Sequence, residues 1–279
     1  MSVTLDSREI IRHPGTPAPQ PWTMARGNAK TLQVTLPKGA VLMQAVADVM
    51  DAAGAESGVI EVEGLVIGPY RFVGPGPSSD GLHAAWYSPP RGGDRARITD
   101  GAAIVGRRDG AWWLHCHAVW QDGDTAWCGH LLPDEVTLAE EATVTLHMIT
   151  GAVFDVSMNE ETRFPIFHPT QGRDTGNAVL AKLAPHKDIT EAVEEIAAAA
   201  GFARARVLGI GSLIGAVFHQ GTPMASPISE VLILPGATTG AETHLPMHCV
   251  DPDDAQFRGA MVRGKGPACV TFELMLIEA

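Results

Sequence analysis

The chain has 279 residues, enough for one large domain or two of ordinary size, and 45% of them are hydrophobic with few aromatics. Acidic residues outnumber basic ones 32 to 20, giving a formal net charge of -12. That balance argues against a freestanding nucleic-acid binder, because phosphate neutralisation supplies most of such a protein's affinity.

No apolar run approaches the roughly 20 residues of a membrane span. The longest candidate, Val207 to Phe218, is short and holds three glycines. The N-terminal MSVTLDSREIIRHPG carries charges and no apolar core, so no signal peptide is expected. Four cysteines (Cys116, Cys128, Cys249, Cys269) without CxxC spacing fit a reduced, cytoplasmic compartment.

Residues 1–27 are rich in proline and polar groups (HPGTPAPQPW) and read as an extended arm packed over the body. From Thr31, TLQVTL alternates as a strand and Pro37-Lys38-Gly39 forms a turn. Leu42 to Ala53 is an amphipathic helix closed by Gly54, and Val59 to Val66 is a second strand.

Trp112 to Leu131, WWLHCHAVWQDGDTAWCGHL, then reads as two strands around a tight turn. With Asp122 and Gly123 as the loop, Trp120 faces Thr125, His117 faces Cys128 and His115 faces His130. Residues two apart on a strand share a face, so His115, His117 and His130 converge on one surface. Three imidazoles on adjacent strands suit a divalent metal, zinc foremost, with nickel and iron also compatible. The alternative is a hydrogen-bonded polar cluster with no ion. In this register Cys128 faces the same side and reads as a small space-filling residue. Asp122 and Asp124 read as turn formers, and Trp112, Trp113, Trp120 and Trp127 as core.

The same order returns 147 residues later: a helix from Ile189 to Ala200, Gly201 as its cap, and a strand from Val207 to Leu213. Gly211 and Gly215 match Gly64 and Gly68, and SEVLILPG (229–236) stands where RARITDG (95–101) stands. Both halves close on alternating strands, ATVTLHMI and ACVTFELMLI. We read a tandem α/β duplication of the α+β kind: an arm (1–27), a first unit (28–157), a junction (158–176) with Pro165, Pro169, Gly172 and Gly176, and a second unit (177–279). Aligned with one added residue, Pro246, His248 and Ala260 replace the three histidines, so the second unit cannot hold the same metal.

The His-x-His strand, the acidic turn and the Gly-His-Leu strand, here LHCHAVWQDGDTAWCGHLLP, together with SEVLILPG, resemble the plants-and-prokaryotes-conserved (PPC or PCC) domain. The resemblance covers most of both units. It implies a mainly antiparallel sheet flanked by one or two helices in each, assembly as trimers, and a histidine cluster near a subunit interface that can hold zinc. Members of the family are often labelled DNA-binding because in plants the domain accompanies AT-hooks. This chain has no hook, and its basic groups (Arg91, Arg95 and Arg97; Arg258, Arg263 and Lys265) form no run.

Further candidates are weaker. Glu230 is placed by the family motif and by its otherwise apolar strand; with Glu161 and Tyr70 it is a candidate for acid-base work. Glu161, Thr162, Arg163 and Phe164 follow the first unit and are expected either to fold back over the pocket or to form a solvated linker. Arg71, Arg163, Arg258, Arg263 and Tyr87, with His83, are candidates for binding a small anionic molecule. The GIGSLIG run (209–215) is not GxGxxG and reads as tight packing. Three functions remain open: a metal-dependent hydratase, lyase, tautomerase or hydrolase on a small carboxylate or carbonyl compound; a non-catalytic oligomeric binding module; and a DNA-associated regulator.

Overall fold

The structure is a computed structural model that describes residues 7–279; the first six residues of the expected arm lie outside the described residues. Among the described residues, no helix is long and apolar enough to cross a membrane.

TLQVTL belongs to a longer strand, Trp22–Leu36. Residues 28–36 pair antiparallel with Ala142–Thr150. Residues 22–27 pair instead with Ala178–Leu183. The end of the expected arm is therefore a sheet strand, whose backbone groups find partners in the second half of the chain. One continuous strand thus ties the two halves together.

From residues 28–36 the first sheet runs through Ala142–Thr150, Ser57–Glu61, Ala96–Arg108, Ala111–Asp122 and Thr125–Leu131, every neighbour antiparallel. From Ala178–Leu183 the second runs through Ala268–Glu278, Ala205–Leu213, Glu230–Ile233, Pro246–Val250 and Gln256–Ala260, again antiparallel throughout. The expected strand over Val59 to Val66 is interrupted. Gly64 turns the chain at φ 83, so pairing stops at Glu61 and resumes at Val66–Ile67.

Among the described residues a single helical turn, Ser7–Ile10, precedes the two longer helices: Leu42–Ala53, ended by Gly54 at φ 63, and Ile189–Ala199, followed by Gly201 at φ 71. Each covers one face of its sheet. Leu42, Val46 and Met50 pack with Leu114, Cys116 and Trp120, while Ile189, Val193 and Ile196 pack with Val207, Phe272 and Leu274. A third cluster, with Ile104, Val119, Leu208, Leu232 and Met275, fills the space between the sheets. The layers run helix, sheet, sheet, helix.

Strand parity then decides what faces the middle layer. On Ala111–Asp122 the even positions Leu114, Cys116 and Trp120 face the helix, and odd Val119 faces the other sheet. His115 and His117 are odd. On Thr125–Leu131, Cys128 belongs to the middle layer and His130 shares its side; Leu232 likewise brings Glu230, and Met275 brings Glu273. Three imidazoles and two carboxylates are thereby directed between the sheets.

The stretch from 158 to 176 is also built in. Pro165–Thr170 pairs antiparallel with Val153–Met158 and delivers Phe164 and Ile166 to the same region.

Candidate metal centre

The histidine hairpin turns on Gly123 and Asp124, with Asp122 paired to Thr125 and Gly123 at φ 56. The expected loop was Asp122-Gly123. The pairing therefore differs: His130 faces His117 rather than His115, Cys128 faces Val119, and Trp127 faces Trp120. Each partner moves by two residues, and a shift of two leaves every side chain on its original face. The cluster survives the change of register. Gly129, beside His130, carries no Cβ because one would lie 2.8 Å from the Val73 carbonyl oxygen of the next strand.

His115, His117 and His130 each offer a ligand atom, and these atoms lie within 4.8 Å of one another. Their ring centroids are 4.7, 4.7 and 5.5 Å apart. The neighbouring groups decide which nitrogens carry protons. A backbone carbonyl can only accept, so His117 Nδ1–H donates to Val231 O at 2.9 Å. His115 Nδ1–H donates to Glu273 Oε2 at 2.7 Å. The other oxygen of Glu273, a residue 1% exposed, accepts from the Phe167 N–H at 3.0 Å.

With both Nδ1 atoms committed, the two Nε2 atoms face each other at 3.0 Å, and Glu230 Oε2 lies 2.9 Å from His117 Nε2. Lone pairs so directed repel unless a proton or a cation lies among them. His130 Nδ1 is buried without a hydrogen-bond partner. A set of three imidazoles, two of them orientated from behind by a carboxylate and a carbonyl, fits a zinc-type ion with one position open.

Electrostatics sharpen the contrast among the rings. Burial pushes the His130 pKa down, and the charges of His115 and His117 push it further, to well below the ordinary histidine value. Burial also lowers that of His115, but Glu273, with Glu230 behind it, outweighs this and leaves the pKa raised.

A cavity with about 490 Å³ of empty space, open solvent at its mouth included, leads to the cluster. Tyr87 and Glu230 line it, and the Tyr87 ring meets His130 edge-on at 5.3 Å.

The other candidates lie elsewhere. Tyr70 is a core residue: its hydroxyl donates to Asp122 Oδ2 at 2.7 Å and accepts from Trp120 Nε1 at 3.0 Å. Asp122 therefore does more than shape a turn. Glu161 is buried away from the cavity wall and accepts from the Ala18 N–H at 2.8 Å. Arg71 pairs with Glu135, Arg258 with Asp100, and Arg263 with Glu191 and Glu194. Arg163 is exposed at φ 64, and its carbonyl meets His83 Nε2 at 3.3 Å. None of these four arginines lines the cavity. Arg91, one of the small basic groups, is committed to Asp254 at 2.7 and 2.8 Å and lies over Phe72 and Trp127.

Glu273 is the functional residue that sequence reasoning missed. Its signal matched that of Glu230: a carboxylate inside an apolar strand, ACVTFELMLI. The Val231 carbonyl carries no sequence signal at all.

Fold and site together define a two-sheet sandwich with a candidate metal centre in its middle layer. No family model and no curated protein matches the chain. Among solved structures it is similar to a metal-containing protein from Archaeoglobus fulgidus, at 15% identity over 52% of this chain and 97% of that one, with a TM-score of 0.41. It is also similar to a plant- and prokaryote-conserved (PPC) protein from Pyrococcus horikoshii, at 14% identity over 55% and 97%, with a TM-score of 0.38. The second carries the family name that the hairpin motif suggests.

Proposed function

We propose that the chain is a fused pair of PPC-like units holding one divalent metal ion, zinc foremost, on His115, His117 and His130, and that it is a metal-dependent enzyme for a small carbonyl or carboxylate compound. A hydration, lyase, tautomerase or hydrolase reaction fits this centre. The observation that carries the reading is the pair of inward Nε2 lone pairs, whose Nδ1 protons are already held by Glu273 and Val231. The shared strand order of the two sheets supports the duplication.

When bound, such an ion supplies a Lewis acid or an activated water. The chain's own groups do the rest. Glu273 holds His115 in one tautomer and fixes its ring. Glu230, against His117 Nε2, is placed to take up and return a proton at its Oε2. Tyr87 presents a phenol at the cavity lining.

The test is elemental analysis of the purified protein together with its mass in solution, which also reads the trimer-based assembly expected of the family. One metal per chain is expected, and none in His115→Ala/His117→Ala with the fold retained by circular dichroism. Unchanged metal content in that variant rejects the assignment. A cytoplasmic location is proposed with it and is read by fractionating cells.

A further inference from the structure

Among the described residues, two carboxylates lie beside the histidines and no lysine or arginine lines the cavity. Glu230 is the one lining side chain with a full formal charge besides the histidines, and Glu273 stands directly behind His115. The four arginines expected to receive an anion are elsewhere, each exposed and three of them paired with an acid. Lys182, a buried cation that feels the charges of Glu161 and Glu273, is not on the wall. A divalent ion on the three histidines is therefore balanced by Glu230 and Glu273. Both carboxylates lie beside the histidines, and no cation on the described wall offsets them. An anion brought there adds uncompensated charge in a buried place, which is costly.

The remaining wall is mainly apolar, with two aromatic rings in it. Trp86 and Phe164 lie with ring centroids 5.1 Å apart, and Ile166, Ile228 and Val270 complete the lining. The hydroxyls at the wall are mostly engaged: Ser229 Oγ donates to Leu213 O, and Thr271 Oγ1 to Leu183 O. Tyr87 differs. Its side chain lines the cavity, and no described group accepts from its hydroxyl.

Resting on the proposed metal centre and narrowing its substrate class, we propose that the cavity selects an uncharged compound with a flat apolar body and one carbonyl-type oxygen. The body lies against Trp86 and Phe164, and the oxygen accepts from the Tyr87 hydroxyl.

Benzamide and benzoate make a test pair, since they share a shape and differ in charge. Their binding is followed by tryptophan fluorescence and calorimetry on full-length protein, once zinc-loaded and once treated with chelator, with zinc content measured on each sample. Benzamide is expected to bind at least tenfold more tightly than benzoate in both samples. Tyr87→Phe is expected to weaken benzamide about threefold to tenfold, the range for one lost hydrogen bond, with zinc content unchanged. Glu230→Gln is expected to narrow the gap by improving benzoate. Equal or tighter binding of benzoate, no binding of either probe, or a Tyr87→Phe variant that binds benzamide as well as the parent overturns the proposal. Zinc content alone decides the metal reading, so the two ideas fail separately.

Discussion

Two hairpins occupy the same place in the two sheets and have different contents. Ala111–Leu131 turns through two residues and sets His130 opposite His117. Pro246–Ala260 turns through residues 251–255 and sets Ala260 opposite Pro246. The surviving histidine of the second, His248, is buried and bonded to Gln256 Oε1 at 2.8 Å, and Gln256 in turn reaches the Ala126 carbonyl on the first hairpin. Burial holds the pKa of His248 down. One hairpin thus gathers ligands and the other buttresses it. The second half also reaches the histidine cluster: Glu230 and Glu273, both from its strands, lie against His117 and His115. One sheet can lack such a histidine cluster and still supply the groups that orientate its neighbour's.

The largest test of this division is Glu273→Gln. Removing the charge behind His115 is expected to lower metal affinity about 10- to 100-fold, as losses of such orienting partners do, measured by competition with a chelator. An unchanged affinity would leave the second half a purely structural role.

The helices differ as the hairpins do. Asp188 caps the second by accepting from the Thr190 and Glu191 N–H groups, and also from that of Gly266, whereas Val41 offers the first no side-chain cap. Asp188→Ala is expected to cost about 1–2 kcal/mol in denaturant unfolding.

The hairpin between the halves carries His168, whose pKa is lowered to about 4 by burial and by the charge of Lys182. The unfolded chain, with a histidine near its ordinary 6.5, binds more protons between these values, so stability falls as pH drops through that window. The ring is partly exposed, so the loss is on the order of 1 kcal/mol. His168→Gln is expected to flatten the stability profile between those pH values.

Giving the first helix what the second has, by Val41→Ser, is expected to stabilise by about 0.5–1 kcal/mol, read as a raised denaturant midpoint. The smallest effect is a null one. Pro246→His with Ala260→His restores ligands without the orienting carboxylates, and no additional equivalent of metal is expected. A second equivalent would show that three imidazoles alone suffice.

Much of this was legible in one dimension. Helix positions followed from period and from glycine caps, because those signals act within a few residues. The shared face of the three histidines was legible too, since strand parity tolerates a register displaced by two, as happened at Asp122. The strand over 22–27 was hidden, because its partner lies about 155 residues away and proline-rich sequence around it resembles a linker. Glu230 stood out as an acid in an apolar strand, and Glu273 carried the same mark.

The amino-acid order by itself determined the grouping of His115, His117 and His130, because a single hairpin and its alternation suffice to bring them together. Only the tertiary structure decided what that grouping faces: which carboxylate holds which ring, which of the arginines stay away, and that the cavity between the sheets is walled by both halves. Those relations depend on how two sheets stack, and stacking is set by the combined burial of a middle layer to which no local stretch contributes more than a few residues.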